Sequence, residues 1–117
     1  DLICGGAGKD RYYIARCGRA VIGFCMLRGW EEGFEIPSFG VLVDRRHRKQ
    51  GYGRRMLEFA LDQALRLNCS RVRLSVLASN AAAVRLYAAA GFRETARETM
   101  AAAGEPDAKI TMLRELQ

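Results

Sequence analysis

Residues 41–55 read VLVDRRHRKQGYGRR, and this stretch is the most informative feature of the chain. Its first three residues form an apolar, strand-like run, which leads into a basic loop and then into an amphipathic helix. The start of a helix carries a partial positive charge and N–H groups that have no intrahelical partner. Because glycine has no Cβ, the backbone at Gly51 and Gly53 can approach a ligand closely. The stretch therefore predicts a site for a multiply charged anion such as a pyrophosphate.

Two common phosphate-binding motifs do not fit this stretch. The Rossmann fingerprint requires a third glycine three residues after the second, and Met56 occupies that position. The P-loop requires Gly-Lys-Ser/Thr after four spacer residues, and the sequence contains no such run. The pattern that remains is Arg48-x-x-Gly51-x-Gly53. Taken alone, it fits a solvated basic turn before a surface helix equally well.

A second informative segment is residues 72–92, which read VRLSVLASNAAAVRLYAAAGF. The segment begins as an alternating strand, and Asn80 is a residue type that caps the start of a helix. Gly91 suits the left-handed residue that ends one. Asn80 and Tyr87 are seven positions apart, or two helical turns, so they should lie on the same face of the helix.

Together, the two segments resemble the GNAT superfamily of acyl-CoA-dependent N-acetyltransferases. The pyrophosphate loop of that family follows the pattern Gln/Arg-x-x-Gly-x-Gly/Ala, and its pantetheine-binding segment reads strand-Asn-x-x-Ala-x-x-x-Tyr-x-x-x-Gly-Phe. The resemblance covers residues 20–116. It implies an α/β fold, a GNAT-like mixed β-sheet with helices on both faces, in one N-acetyltransferase domain over residues 1–117. The family usually begins with one more strand and two helices. We expect the chain to lack them, either because it is a fragment of a longer protein or because the fold is shortened at its N-terminus, and we favour a truncated or processed N-terminus.

The residue pattern predicts the order β-β-β-α-β-α-β-β, with a loop over the first eleven residues. The predicted strands are 12–16, 20–27, 34–43, 71–77, 93–99 and 108–116, and the predicted helices are 51–67 and 81–90. Pro37 indicates an edge, a bulge or a kink in the third strand, and a loop is expected at residues 104–106. The strands ending at Val43 and near Leu77 should be parallel neighbours that splay apart at their carboxyl ends.

The resemblance also implies the cofactor, acetyl-CoA as co-substrate, and the residues that bind it. Backbone N–H groups at the end of the strand would bind pantetheine and polarise the thioester carbonyl. The loop would hold the pyrophosphate largely through main-chain N–H groups, and Asn80 would bond the pantetheine arm. The cofactor-binding residues expected on this basis are Val41, Leu42, Val43, Arg48, Lys49, Gln50, Gly51, Tyr52, Gly53, Arg54, Asn80 and Tyr87.

Tyr87 is the candidate general acid, because a phenol stays protonated at neutral pH and could protonate the leaving thiolate. The alternative is a core tyrosine whose hydroxyl is satisfied. The glutamates that two branches of the family use as general base correspond here to Pro37 and Ser75. Glu35 lies two residues before Pro37, on the same face of a regular strand, and is the candidate base. Glu31, Glu32 or an ordered water could serve instead.

Composition restricts the function less than the motifs do. The net charge of +6 fits an acidic ligand such as coenzyme A, and would equally fit nucleic acid or an anionic membrane. No apolar run has the length of a membrane span. Four cysteines without a C-x-x-C pair indicate free thiols in a reducing cytoplasm. His47 is the only histidine, so no metal site is expected, and its place in the basic loop suggests solvent or phosphate contact.

Three functions compete. The first is an active N-acetyltransferase that acts on a small amine or a peptide amino-terminus. The second is a catalytically silent module that binds and senses acyl-CoA, which Asn80 and Tyr87 disfavour. The third is a basic nucleic-acid-binding domain, disfavoured because the positive charge concentrates at one helix start and no aromatic stacking platform is present. We therefore predict a cytoplasmic N-acetyltransferase, monomeric or homodimeric, without nucleic-acid or membrane partners.

Overall fold

The protein is described here by a computed structural model that covers residues 2–5, 9–102 and 105–116, with side chains for 9–100 and 106–116. Two short 3₁₀ turns, Trp30–Glu32 and Arg45–His47, precede and follow the fourth strand. The strands are β1 Leu2–Gly5, β2 Arg11–Cys17, β3 Ala20–Arg28, β4 Ser38–Val43, β5 Arg71–Leu77, β6 Arg93–Ala102 and β7 Glu105–Glu115, and the helices are α1 Tyr52–Arg66 and α2 Ala81–Ala89.

The strands form one seven-stranded sheet in the order β1-β2-β3-β4-β5-β7-β6. β4 and β5 are parallel, and every other neighbouring pair is antiparallel. The predicted fold class, a mixed α/β sheet, is confirmed. Neither helix within the described residues combines the length and apolar character that crossing a bilayer would require.

A slot opens between β4 and β5. The two strands are paired only at Ser38 and Arg73, where the Arg73 N–H also donates to the carbonyl of Pro37 at 3.0 Å. No residue pair joins them further along, so the strands separate toward their carboxyl ends. The predicted parallel pairing and splay are therefore confirmed.

Helix α1 supplies much of the core. Its buried residues recur at helical spacing and pack against β3 and β4, and Phe59 meets Tyr13 of β2 edge-on at 5.0 Å. These buried residues are Met56, Leu57, Ala60, Leu61 and Ala64. Both helices begin and end within one residue of the predicted bounds.

Both helices lie on the same face of the sheet, which differs from the prediction of helices on both faces. Tyr87 of α2 packs on Phe39. Phe39 pairs with Leu27, and Cys25 on the same face pairs with Tyr13, which contacts α1. On the other face, no helix of the described residues covers the sheet. We call this the open face, and its exposed apolar side chains include Tyr12, Ile14, Phe24 and Leu42.

The amino-terminal strand was predicted to be absent, and this prediction is wrong. Residues 2–5 form β1, which pairs antiparallel with residues 12–15 of β2. A four-residue run followed by glycines has little strand character of its own. The hydrogen bonds that fix it come from a neighbouring strand, and the local sequence does not show that partner.

Two further boundaries differ from the prediction. β4 begins at Ser38 and not at Phe34, because Pro37 has no N–H to donate to a ladder and residues 34–37 form a bend instead. The last hairpin is longer than expected, since β6 continues to Ala102 and β7 begins at Glu105. Glu105 and Pro106 therefore belong to β7, while the predicted loop residue Gly104 lies outside the described residues.

Candidate functional site

The basic loop leaves β4 in a fixed direction because Asp44 anchors it. The Asp44 N–H donates to the carbonyl of Ile22 on β3 at 2.6 Å. The Asp44 carboxylate accepts from the backbone N–H of Arg46 at 3.2 Å and from its guanidinium at 3.1 Å. These hydrogen bonds hold the pKa of Asp44 below its ordinary value. Arg48 then folds back, and its Nε donates to the carbonyl of Val43 at 3.3 Å.

Helix α1 starts without a side-chain cap. Gly51 is the N-cap residue, with a left-handed φ of 84°, and no side chain bonds the first N–H groups of the helix. Glycine is required at this position by the backbone conformation. Gly53 is different, because a Cβ there would meet only Leu86, at 4.0 Å. The fold therefore does not require glycine at position 53.

A pocket of about 420 Å³ lies between this loop, the start of α1 and the first turns of α2. It gathers the predicted phosphate-binding residues except Gln50, whose Nε2 donates to the carbonyl of Arg46 at 3.4 Å. We call it the basic pocket. Its lining residues are Val43, His47, Arg48, Lys49, Gly51, Tyr52, Gly53, Arg54, Ala82, Ala83 and Leu86. Unpaired helix N–H groups and three cations make it suited to a polyanion.

The backbone of β4 offers alternate groups to the slot. Since the Asp44 N–H bonds to β3, and successive residues of a strand point to opposite neighbours, the Leu42 N–H also faces β3. The N–H groups of Val41 and Val43 therefore face the slot toward β5. The side chain of Leu42 is on the open face. Of the three predicted strand residues, Val41 and Val43 are thus placed to bind a ligand with their N–H groups.

Asn80 has the capping role that its position predicts. Its side-chain oxygen accepts from the Ala83 N–H at 3.2 Å, which leaves the amide N–H groups for another partner. Asp107 braces the loop before Asn80 by accepting from the Ser79 N–H at 3.1 Å and the Ser79 hydroxyl at 2.6 Å. The Ser79 hydroxyl lowers the pKa of Asp107. The sequence did not reveal this role of Asp107, because Asp107 lies 28 positions after Ser79.

Tyr87 is buried, with 8% of its surface exposed. Its ring meets Phe39 at 6.3 Å and Phe92 at 6.0 Å, both edge-on. Burial raises the pKa of the Tyr87 hydroxyl above its ordinary value of 10.0. Phe39 directly follows Ser38, the one residue of β4 that pairs with β5, so Tyr87 packs at the closed end of the slot. Phe39 was not predicted as a site residue, since it reads as one more apolar residue of a strand.

Glu35 is not on β4, so the predicted alignment with Pro37 on one strand face is wrong. It is exposed in the bend before the strand, and lines a second pocket of about 380 Å³. The other residues of that pocket are Lys9, Trp30, Glu31, Gly33 and Phe34. The two pockets share no residue. A role of Glu35 as base stays a prediction.

The thiols are unpaired where the structure describes them. Cys17 is exposed, whereas Cys25 and Cys69 are buried, and burial raises the pKa of Cys25 to about 11. The side chain of Cys4 lies outside the described residues. In the described ranges, no group of three or more His, Cys, Asp or Glu residues is arranged to hold a metal ion.

Known proteins share both the sequence pattern and the fold. The [ribosomal protein bS18]-alanine N-acetyltransferase of Escherichia coli K12 is 40% identical over 60 residues, which is 51% of this chain and 40% of that protein. The match thus spans less than half the length of this relative. The crystal structure of the ribosomal-protein-S18-alanine N-acetyltransferase from Escherichia coli superposes with a TM-score of 0.84 at 22% identity, covering 96% of this chain and 72% of that one.

A second structural neighbour contains a ligand. It is yncA from Salmonella typhimurium, solved with its cofactor acetyl-CoA, with a TM-score of 0.83 at 23% identity over 93% of this chain and 66% of that one. At such identities, the structural similarity indicates the fold alone. The sequence itself matches the acetyltransferase (GNAT) family over residues 4–92, which is most of the chain. The predicted resemblance is therefore confirmed, and this chain belongs to the acetyltransferase (GNAT) family.

Proposed function

We propose that this chain transfers the acetyl group of acetyl-CoA to a primary amine by direct attack. The observation that supports the proposal most is the continuity of three features. The basic pocket lies at the carboxyl end of β4, the slot between β4 and β5 widens toward that end, and the buried Tyr87 packs at the closed end of the slot. A diphosphate, an amide-containing arm and a thioester would meet these features in that order.

Binding would orient the thioester. The N–H groups at the start of α1 hold the diphosphate, aided by the cations Arg48, Lys49 and Arg54. The N–H groups of Val41 and Val43 bond the pantetheine arm and the thioester oxygen, which stabilises the negative charge that develops on that oxygen. The side-chain oxygen of Asn80 caps α2, so the amide N–H groups of Asn80 are left to donate to the pantetheine arm.

The transfer itself needs two proton movements. The amine nitrogen attacks the thioester carbon, and the C–S bond of the tetrahedral intermediate breaks. The leaving thiolate takes the proton of Tyr87, whose raised pKa keeps it protonated at neutral pH. The attacking nitrogen loses a proton to a base, for which Glu35 or a bound water is our candidate. Proton transfer between bulk water and these groups then restores the enzyme.

The acceptor is a primary amine of a small molecule or a peptide amino-terminus. The Escherichia coli relative is an alanine N-acetyltransferase of ribosomal protein bS18, which favours an amino-terminal acceptor. We place the reaction in the cytoplasm, where the free thiols Cys17, Cys25 and Cys69 stay reduced. The competing proposal is a silent module that binds acetyl-CoA without turnover.

Two measurements test these proposals. Isothermal titration with acetyl-CoA reports binding, with a dissociation constant expected in the micromolar range, about −8 kcal/mol. A thiol-release assay with a panel of amines, including peptides that begin with alanine and the polyamine spermidine, reports turnover. Binding with thiol release supports the enzyme. Binding without release on the whole panel favours the silent module, and no binding overturns both.

A further inference from the structure

His47 lies beside the basic pocket, next to Tyr52 and Asp44. It ends the 3₁₀ turn Arg45–His47, and its backbone N–H donates to the Asp44 carbonyl at 2.8 Å. The ring meets Tyr52 edge-on at 6.1 Å. Its Nδ1 is buried and lies 3.6 Å from Oδ2 of Asp44, which is too long for a hydrogen bond. Among the described residues, it is the one buried side-chain N or O atom without a hydrogen-bond partner.

This orientation determines which ring nitrogen faces the ligand. An ionised carboxylate can only accept, so the Asp44 carboxylate favours a proton on Nδ1 of His47. Three-quarters of the His47 side chain is buried, at 25% exposed, yet the residue lines the basic pocket. With Nδ1 directed inward to Asp44, Nε2 is the nitrogen left to face the pocket. In this tautomer Nε2 is an acceptor, and it becomes a donor to whatever fills that space only when the imidazole is protonated.

The charges around His47 change when an anion binds. Asp44 and Arg46 face it from its own turn, and Arg48, Lys49 and Arg54 line the same pocket. The residues that α2 contributes to the pocket carry no charge. In the empty pocket, Asp44 is engaged by Arg46. A bound diphosphate would add negative charge beside the imidazole and offer oxygens to Nε2.

We infer that His47 is a further ligand for the diphosphate of acetyl-CoA, positioned by Asp44, and that it takes up a proton when the diphosphate binds. The inference rests on the proposed function and adds to it a link between cofactor affinity and pH. Affinity for acetyl-CoA should fall as pH rises from 6 to 8.5, by at most about tenfold per pH unit for one proton.

The test uses the tag-free chain, in which His47 is the only histidine. Isothermal titration of acetyl-CoA at pH 7.5 in PIPES, HEPES and Tris, which differ in ionisation enthalpy, should give heats that depend on the buffer and correspond to proton uptake. In an NMR spectrum at the same pH, the single imidazole signal should move toward its protonated position when coenzyme A is added. Neither readout depends on a variant that could misfold.

Variants separate ligation from a purely structural role. His47→Gln should bind several-fold more weakly than wild type at pH 6 and nearly as well at pH 8.5, with heats independent of buffer. Asp44→Asn retains an oxygen to accept from the Arg46 N–H, and should move the pH dependence of binding to lower pH. Tight acetyl-CoA binding with buffer-independent heats and an unmoved imidazole signal would overturn this inference and leave the proposed function intact. Absence of acetyl-CoA binding would overturn both.

Discussion

Tyr87 combines, in one residue, the burial and the protonation state that a general acid requires. Its ring is enclosed by Phe39 and Phe92, so the phenolate would lose solvation that the phenol does not need. Desolvation therefore raises the pKa of the hydroxyl, and the proton is retained up to alkaline pH. In the proposed mechanism, Tyr87 would then hold its proton over the whole pH range in which an amine can attack.

Tyr87→Phe deletes the hydroxyl and keeps the ring. If Tyr87 protonates the leaving thiolate, the chemical step should slow by about 10²-fold, the low end for a positioned acid, because a thiolate is a fairly good leaving group. Affinity for acetyl-CoA should barely change. Single-turnover kinetics measure this step without product release. Tyr12→Phe is the matched control, since Tyr12 is 39% exposed on the open face. An unchanged single-turnover rate in Tyr87→Phe would show that Tyr87 contributes packing and does not supply the proton.

Cys25 makes stability depend on alkaline pH. Burial raises the pKa of its thiol from 9.0 to about 11. The folded chain therefore keeps a proton that the unfolded chain loses, and this stabilising contribution is complete below pH 9 and disappears as pH rises toward 11. The free energy of unfolding should decline across that window. Urea denaturation at pH 8 to 11 should show a smaller decline in Cys25→Ala.

The exposed thiol Cys17 provides the control for Cys25. Cys17→Ala should reproduce the wild-type pH profile, because the Cys17 side chain already contacts solvent in the folded chain. Above pH 10, deprotonation of Tyr87 in the unfolded state adds to the decline in the same direction, since its folded pKa is also raised. Equal dependence of the unfolding free energy on pH in Cys25→Ala and wild type would show that the Cys25 thiol does not contribute.

The bounds of both helices were predictable from the sequence, whereas those of some strands were not. α1 and α2 have local signals at their ends, Gly51 and Asn80 at the start and Gly91 after the end of α2. β1 depends on its pairing with β2, which no local residue encodes. β4 was predicted too long because its apolar run continues through a proline. The loop and both motif segments of the site came from the sequence, whereas Asp107, Phe39 and the position of Glu35 required the fold.

Asn80 serves the helix and, in our proposal, the cofactor, and two substitutions separate these roles. Asn80→Ala removes the acceptor for the Ala83 N–H and should lower the free energy of unfolding by about 1 kcal/mol. Asn80→Ser keeps a capping oxygen, so its stability should stay close to wild type. Both remove the amide donors and should weaken acetyl-CoA binding in titration. Wild-type affinity in Asn80→Ser would restrict Asn80 to capping.

The start of α1 tests the phosphate assignment. An acidic residue in the first turn of a helix normally stabilises it, and a Cβ at Gly53 has room beside Leu86. Gly53→Asp should therefore fold normally, yet abolish acetyl-CoA binding in titration because it places a negative charge where the diphosphate lies. Gly53→Asn has the same size without the charge and should retain more affinity. Gly51 is less suitable, because its left-handed φ of 84° would add strain. Unaffected binding in Gly53→Asp would refute the phosphate assignment.

The sheet of this protein has two parts, which are joined to each other by one residue pair. β1 to β4 and β5 to β7 are each continuous ladders, and the pairing of Ser38 with Arg73 joins them. The proposed cofactor lies in the gap between these parts, where it would bond to both. Bound ligand should therefore connect the two parts of the sheet where only one residue pair joins them. It should stabilise the whole fold and not only the pocket residues.

Acetyl-CoA should consequently stabilise the chain against heat. At a ligand concentration 100 times the dissociation constant, linkage gives about 2.7 kcal/mol of stabilisation. For a domain of this size, that corresponds to a rise in Tm of about 10 °C. The increment should shrink as salt is raised from low to high concentration, because the contact between diphosphate and basic pocket is partly Coulombic and is screened. Differential scanning calorimetry with and without ligand at each salt concentration measures this increment in Tm. The comparison at equal salt corrects for the effect of salt on the chain alone. A rise in Tm that is equal at all salt concentrations, or that persists in Gly53→Asp, would place the ligand away from the basic pocket.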